Sequence, residues 1–223
     1  MKFSEMPYKR PDPEEVKATL RSLTGRLQSA QSYAEARAVF LEKEAEEKLV
    51  QTMGTLAYVR HSIDTRDAFY DGEIRFWDEI GPELEEYSQV WTDALLATPY
   101  RKDFAAEYGE LMFVNAEIRR KTFAPEIIPD MQKENELVTE YDKLIASAQI
   151  PFEGGVYTLS QLSPFKTGAD DATRLAAWQA EGKWFKEHQE RFDAIYDELI
   201  FAFLFLGDGL DFCLLYNVTN LHS

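Results

Sequence analysis

The sequence has few of the residues that build disulfides and metal centres. Its 223 residues include one cysteine, Cys213, and three histidines. A single cysteine excludes an internal disulfide framework, and the histidines lie too far apart in sequence to form a zinc motif. The formal net charge is −16, and no Lys or Arg follows Arg191. This acidity argues against nucleic acid or an anionic membrane surface as a partner, because both attract cationic proteins.

The sequence also has no apolar run of the length that crosses a bilayer. The stretch 200–216 is nearly all apolar, but it spans only 17 residues and includes Asp208 and Asp211. A membrane-spanning helix needs about 20 apolar residues. Residues 1–7 (MKFSEMP) lack the apolar core of a secretory signal. We therefore expect a cytoplasmic protein with no membrane partner.

What the sequence does contain is helical periodicity. Hydrophobic residues make up 45% of the chain and charged residues 29%, as in globular proteins. Asp12 before Pro13 is typical of a helix start, and Ser32 with Glu35 has the spacing of a capping box. We predict an all-α fold of several long amphipathic antiparallel helices, including one that continues with a kink through Gly81-Pro82.

Apolar residues spaced three and four apart define the expected buried stripes of these helices. The stripes are Leu41, Ala45, Leu49, Met53 (or Thr52), Leu56, Val59 and Ile63; Phe69, Trp77, Ile80, Leu84, Tyr87, Trp91 and Leu95; Leu137, Tyr141, Leu144 and Ala148; and Trp178, Phe185, His188, Phe192, Ile195 and Leu199. The last stripe belongs to a single long helix that starts at Asp170-Asp171. Shorter helices are expected at about 101–108 and 110–122.

One short region indicates β-structure instead. Residues 149–152 and 156–159 flank a Gly154-Gly155 pair, a pattern typical of a hairpin. We therefore predict one small β-hairpin near 150–159, with the two glycines at its tip and Pro151 in an edge strand.

The character of the sequence changes near residue 200. Residues 1–199 have the pattern of charged amphipathic helices, whereas residues 200–223 contain no cation and begin with a long apolar run. We therefore predict two regions, a helical body at 1–199 and an aberrant apolar tail at 200–223.

No stretch of the sequence has the spacing of an active site. His188-Gln189-Glu190 is followed by Phe192 where a zinc helix would carry its second histidine, so we interpret His188 as a packed histidine. We expect His61 to be ion-paired or at a helix end, and His222 lies near the carboxy terminus.

Carboxylates are dense between residues 64 and 79, but they lack the spacing of a calcium loop, and the chain has no Glu-x-x-His pair for a di-iron bundle. These carboxylates are Asp64, Asp67, Asp71, Glu73, Asp78 and Glu79. We interpret them as a solvated acidic helix face with Arg60, Arg66 and Arg75 as partners. The prediction is therefore no catalytic, cofactor-binding or metal-ligating residue in this chain.

Several stretches together carry a family resemblance. They are residues 60–71 (RHSIDTRDAFYD), 76–79 (FWDE), 123–128 (FAPEII), 143–150 (KLIASAQI), 159–162 (LSQL) and 192–199 (FDAIYDEL), with the opening MKFSEMP. In this order they resemble the amino-terminal region of oligoendopeptidase F-type enzymes, of the thimet-oligopeptidase-like group of zinc metallopeptidases. The resemblance covers residues 1 to about 200.

The resemblance implies an α-helical fold that builds one wall of a deep channel in which short peptides are cleaved. It also implies zinc bound by a His-Glu-x-x-His helix and a later Glu, with the motif Glu as general base. Those elements lie further along in the family, so none is carried onto a residue here. The sequence departs after Leu199, where the family continues a basic helix. We interpret the tail as a frameshifted or truncated reading frame, with a divergent short paralogue as the alternative.

Two functions are therefore expected. The first is the amino-terminal portion of a zinc-dependent oligopeptidase that hydrolyses short peptides, lacking the zinc motif and inactive alone. The alternative is a non-catalytic acidic helical module that binds a protein. Its interaction patch, also a candidate for self-association, would be Phe201, Phe203, Phe205, Phe212 and Leu214.

Overall fold

The computed structural model describes residues 5–209, and the side chains of residues 5–201. Within that range the chain forms nine α-helices and one two-stranded antiparallel sheet, which confirms the predicted fold class. The elements are α1 Pro13–Ser29, α2 Tyr33–Ile63, α3 Ala68–Leu96, α4 Arg101–Tyr108, α5 Leu111–Lys121, α6 Ile128–Ala146, β1 Ile150–Phe152, β2 Gly155–Tyr157, α7 Leu159–Lys166, α8 Asp171–Glu187 and α9 Gln189–Gly209.

The chain divides into two compact units, and the division falls within α6. The amino-terminal unit comprises the residues up to Gln132, and the carboxy-terminal unit is Lys133–Leu204. The predicted boundary between a body at 1–199 and a tail at 200–223 stays a prediction, because most of that tail lies outside the described residues.

Local sequence signals set the first helix ends. Asp12 accepts hydrogen bonds from the backbone N–H groups of Glu14 and Glu15 at the start of α1, at 2.9 and 3.3 Å. At the start of α2, the Ser32 hydroxyl accepts from the Glu35 N–H at 3.2 Å. The Glu35 carboxylate accepts in turn from the Gln31 N–H at 2.8 Å, one residue earlier than in a standard capping box. Both predicted helix starts are confirmed.

The second and third helices form an antiparallel pair. Only four residues, 64–67, join α2 to α3, and so short a connection returns the chain alongside itself. Gly54 of α2 lies against the Trp77 ring of α3, and Arg60 donates a hydrogen bond to the Tyr70 hydroxyl. The partners move in opposite directions along the two helices, as an antiparallel pair requires. The third helix continues through Pro82, as expected.

The predicted buried stripe of α2 is mostly wrong. Leu41, Leu49 and Ile63 are 43%, 57% and 75% exposed, and only Leu56 of that stripe is fully buried. The side of α2 that faces the unit carries Ala36, Val39, Lys43, Leu56, Ala57 and His61. Apolar residues lie on both faces of this helix, so periodicity alone did not indicate which face packs against α1 and α3.

The last predicted helix is two helices. His188, with φ −107° and ψ 6°, separates α8 from α9. In α8 the buried residues are Ala177 and Trp184, whereas the predicted Trp178 and Phe185 are 56% and 37% exposed. The stripe was therefore displaced by one residue before the break.

The hairpin is where it was predicted, but its tip is one residue earlier. Phe152 pairs with Gly155, so the turn is Glu153-Gly154, with φ of 45° and 80°. A two-residue turn with both φ values positive matches the twist of the strands. A Cβ at Gly155 would lie 2.7 Å from the Tyr157 ring, so any larger residue there would require that ring to shift.

Each unit has its own apolar core. In the amino-terminal unit the core joins α1 to α5 and consists of Leu23, Leu27, Ala36, Val39, Trp91, Ala94, Leu95, Phe104 and Phe113. In the carboxy-terminal unit it consists of Ala148, Ile150, Phe152, Leu162, Ala177 and Trp184. Among the described residues, no helix has the length and hydropathy needed to cross a membrane.

Candidate functional site

The amino-terminal segment before α1 is held on α2 and α3 by a cluster of polar side chains, which we call the anchor: Tyr8, Arg10, Arg60, Glu73 and Trp77. Glu73, on α3, is only 3% exposed. Its carboxylate accepts from the Tyr8 hydroxyl and from Arg10 Nε and Nη2, the latter two at 2.9 and 2.5 Å. Trp77 Nε1 donates to the Tyr8 oxygen at 3.2 Å. A buried carboxylate is thereby fully hydrogen-bonded.

Arg60 holds the same segment from α2. Its Nη2 donates to the backbone oxygen of Met6 at 2.5 Å, and its Nη1 donates to the Tyr70 hydroxyl at 2.8 Å. The Tyr8 ring makes edge contacts with the rings of Phe69 and Tyr70, with centroids 6.1 Å apart in each case. Two of the five anchor residues, Arg60 and Trp77, lie in the stretches 60–71 and 76–79 that carry the family resemblance.

The electrostatics of the anchor favour a structural role. Burial and the hydrogen bond to Glu73 raise the pKa of Tyr8 to about 12. The hydrogen bond from Arg10 lowers the pKa of Glu73, and the same bond raises the pKa of Arg10. Near neutral pH, Glu73 and Arg10 stay charged and Tyr8 stays neutral. The cluster is therefore suited to holding the segment in place and unsuited to proton transfer.

The acidic residues of 64–79, Glu73 included, were predicted to form a solvated face, and this is partly correct. Asp64 accepts from Arg66 Nε at 3.0 Å, and Asp71 pairs with Arg75 at 2.5 Å. Asp67 caps the start of α3 by accepting from the backbone. The prediction fails at Glu73, which is buried, because its partner Arg10 comes from a distant part of the chain.

Two of the three histidines lie among the described residues. His61 is buried in the last turn of α2, as expected of a residue at a helix end, and its Nε2 lies 3.7 Å from Asp71 Oδ1. The His188 ring stacks on Trp184, with centroids 4.4 Å apart, and its Nδ1 lies 2.8 Å from the Trp184 carbonyl oxygen. Both interpretations are confirmed, while His222 and Cys213 lie outside the described residues.

A cleft of about 260 Å³ opens between α1, α2, α3 and α5 of the amino-terminal unit. Lys43 is 5% exposed there, and its Nζ lies 2.6 Å from Glu47 Oε2. Arg119 binds Glu85 through two hydrogen bonds of 2.9 Å each. These charges compensate one another, and the rest of the lining is largely apolar.

A second concave surface, which we call the α6–α9 groove, lies in the carboxy-terminal unit and has a volume of about 480 Å³. It has a single charged lining residue, Asp193. Neither concave surface brings together an acid, a base and a nucleophile in hydrogen-bonding reach.

The described residues do not fit a zinc ion. Nowhere in this part of the chain do three His, Cys, Asp or Glu side chains converge in a way that could hold a metal, whereas zinc in a peptidase needs at least three protein ligands. The prediction that this chain has no site residues stays a prediction, because Cys213 and His222 have not been placed.

The sequence matches a known family model. The model of the peptidase M3 N-terminal domain matches residues 3–123, more than half of the chain. The chain belongs to this family. The helices α1 to α5 and the anchor described above therefore form the M3 amino-terminal domain, which confirms the resemblance drawn from the sequence.

Solved structures extend the M3 match across nearly the whole chain. An oligoendopeptidase F structure at 3.1 Å resolution superposes with a TM-score of 0.92 at 38% sequence identity, over 94% of this chain and 37% of that one. PZ peptidase A with an inhibitor superposes with a TM-score of 0.91 at 38% sequence identity, over 94% of this chain and 37% of that one. An oligoendopeptidase F from Bacillus anthracis str. Ames superposes with a TM-score of 0.91 at 38% sequence identity, over 94% of this chain and 39% of that one. No curated protein matches the chain.

The share of each M3 relative that this chain covers shows how much of such a protein the chain represents. The chain spans less than two fifths of the length of each solved structure that it matches. It therefore corresponds to the amino-terminal portion of an oligoendopeptidase F-type protein.

Proposed function

We propose that this chain forms the amino-terminal wall of a zinc-dependent oligopeptidase that hydrolyses short peptides in the cytoplasm, and that the chain is inactive alone. The observation that carries the proposal is the match of residues 3–123 to the M3 amino-terminal domain. The structural superposition supports it, since 94% of the chain is similar to little more than a third of an oligoendopeptidase F. Zinc and the general base are assigned to the portion of the enzyme beyond these residues.

Exposed apolar side chains of the amino-terminal unit support a role as part of a larger enzyme. Leu49 and Ile63 of α2, Phe69 of α3 and Leu111 of α5 are 57%, 75%, 56% and 67% exposed. An interface with the catalytic portion would cover such residues.

Peptide hydrolysis by the purified chain tests the proposal. The chain is incubated with zinc and a set of short fluorogenic peptides, beside a mock purification from a host that lacks the gene. We expect turnover at the level of the mock sample. Turnover that a metal chelator abolishes, and that follows the chain's own peak through two chromatography steps, would contradict the proposal.

A second candidate function, a protein-binding module, is favoured by one observation. Two large aromatic side chains of α9 are exposed: Tyr196, which lines the α6–α9 groove, at 63%, and Phe201, five positions later, at 64%. Of the predicted patch, the side chains of Phe203, Phe205, Phe212 and Leu214 lie outside the described residues. Sedimentation velocity over a range of concentrations tests self-association. A monomer at every concentration would count against the patch as a dimer interface.

A further inference from the structure

The segment that precedes α1 takes no part in the apolar core of its unit. Residues 7–12 belong to no helix or strand, and none of residues 5–12 is buried. The core that joins α1 to α5 includes no side chain from this segment. A segment with so little buried apolar surface gains little from the hydrophobic effect, so polar contacts carry much of its attachment. We call residues 5–10 the strap.

Two side chains of the strap depend on one carboxylate. The Tyr8 hydroxyl and the Arg10 guanidinium both donate to Glu73, which is only 3% exposed. The Arg10 side chain is itself 48% exposed, so water competes for its hydrogen bonds. Loss of the contact with Glu73 would therefore free both side chains together.

The strap does not pack closely on α2. The Arg60 guanidinium holds the Met6 oxygen, and the Lys9 N–H donates to Met53 Sδ at 3.4 Å, where sulfur is a weak acceptor. A cavity of about 300 Å³ lies beside Met6, and its other lining residues all belong to α2: Lys48, Gln51, Thr52, Thr55 and Leu56. The strap therefore covers this part of α2 without filling the space against it.

The helices beneath the strap have contacts of their own. Gly54 of α2 lies against the Trp77 ring of α3, and Arg60 donates to the Tyr70 hydroxyl. Asp12 caps the start of α1 through its own carboxylate. None of these contacts includes a strap residue, so they can persist when the strap is released.

We propose that the strap is a detachable lid, which leaves and rebinds as one unit while α1, α2 and α3 stay folded. Its release uncovers Glu73 and the cavity beside α2. Folded proteins open locally in this way at a lower cost in free energy than global unfolding, and segments with few buried apolar contacts open most readily. The lid operates whether or not the peptidase proposal holds.

Cleavage of the full chain by trypsin provides the test, because the Lys9–Arg10 bond lies within the strap. When opening and closing are fast, the rate of cleavage follows the fraction of open molecules. Mass spectrometry measures cleavage after Lys9 and, in the same sample, cleavage after Lys48 of α2, which requires that helix to unfold. A synthetic peptide of residues 5–14 corrects for direct effects on trypsin.

Variants on the helices change the attachment of the strap without changing the cleaved sequence. Glu73→Gln should speed cleavage after Lys9 about tenfold, because the charge-assisted bonds to Arg10 are lost. Glu86→Gln makes the same change of charge at an exposed residue of α3 and should alter this rate less than about twofold. Arg60→Met releases the Met6 oxygen and should speed cleavage about threefold. Circular dichroism of each variant confirms that the helices are retained.

Urea below the unfolding transition separates local release from global unfolding. Global unfolding exposes far more surface than release of the strap, so only the former should respond steeply to urea. Corrected cleavage after Lys9 should change less than about twofold, whereas cleavage after Lys48 should rise more than about tenfold.

The proposal is supported by faster cleavage after Lys9 in Glu73→Gln, together with a flat dependence on urea. Cleavage after Lys9 that rises with urea in parallel with cleavage after Lys48 overturns it, since the strap would then be released only by global unfolding. Equal rates in Glu73→Gln and Glu86→Gln overturn it as well. So does cleavage of the unaltered chain as fast as that of the synthetic peptide, which would mean that the strap is not attached.

Discussion

The two units of this chain differ in how they use charged side chains. The amino-terminal unit buries a carboxylate, Glu73, and satisfies it with Tyr8 and Arg10 from the segment that precedes α1. The carboxy-terminal unit has the ion pairs Lys133–Glu198 and Arg191–Glu140 between α6 and α9, encloses the pair Lys166–Glu181 between α7 and α8, and leaves Tyr196 exposed. The first unit uses charge to fasten its own chain, while the second presents an apolar surface framed by charge.

The comparison depends first on the amino-terminal unit having a core of its own. Of the substitutions considered, removing the Phe104 ring from that core should change the free energy of unfolding most. Phe104 is fully buried and makes edge contacts with Tyr33 and Phe40. Phe104→Ala should lower the free energy of unfolding by about 4 kcal/mol, from lost burial and the cavity it leaves. Leu111→Ala, at a residue 67% exposed, should cost less than about 0.5 kcal/mol.

Hydrogen exchange resolved by peptide shows where the Phe104→Ala effect lies. Protection should fall across α1 to α5 and stay unchanged in α7 and α8. Equal loss of protection in both units would contradict the division of the chain into two separate cores.

Breaking the anchor should have the next largest effect. Arg10→Met keeps an apolar stem but removes the guanidinium that lies over the Phe76 ring, and it leaves Glu73 buried without its cation. We expect a loss of about 2 kcal/mol, below the usual range for a fully buried pair because Arg10 itself is half exposed. Arg66→Met breaks an exposed pair with Asp64 and should cost less than about 0.5 kcal/mol. Urea unfolding compares the two variants, and equal losses would show that burial of Glu73 contributes nothing.

Acid should weaken the anchor. The Arg10 guanidinium holds the pKa of Glu73 below its ordinary value of 4.5, so the unfolded chain binds a proton more readily than the folded one. The stability that Glu73 contributes is therefore present above pH 4.5 and is lost as pH falls through the folded pKa. Stability of Glu73→Gln should depend less steeply on pH over that window. Identical slopes for the two proteins would contradict this assignment.

The smallest effect concerns the hairpin of the carboxy-terminal unit. Glu153 has a φ of 45°, which Asn adopts more readily than Glu. Glu153→Asn gives the Asn-Gly sequence favoured in such turns and should stabilise this unit by about 0.5 kcal/mol. Thermal unfolding of the variant checks it, with Glu187→Asn on α8 as a control that should not stabilise. A lower melting temperature for Glu153→Asn would contradict the turn assignment.

Sequence predicted helix ends better than helix faces. Asp12 and Ser32 act through backbone groups two or three residues away, so their effect is visible locally. Which face of α2 is buried depends on how α2 packs against α1 and α3. Ile63 belongs to the predicted buried stripe but is exposed, so apolar periodicity alone selected the wrong face. The short helix α7 was missed, although Thr158 with Gln161 forms a capping box at its start.

The same distinction explains what could be predicted of the candidate site. The absence of a His-Glu-x-x-His motif is read directly from the amino-acid sequence. The order of several short sequence stretches was enough to indicate the peptidase family. The burial of Glu73 was not predictable, because its partner Arg10 lies 63 positions away and only the fold brings them together. The open α6–α9 groove likewise depends on the placement of two helices far apart in the chain.

The content of tightly held zinc tests the central claim most directly. The purified chain is loaded with zinc, dialysed against metal-free buffer and analysed by mass spectrometry for metal per mole of protein. The account predicts far less than one zinc per chain, because the peptidase metal is assigned to residues that this chain does not supply. One zinc per chain, retained through dialysis, would contradict it.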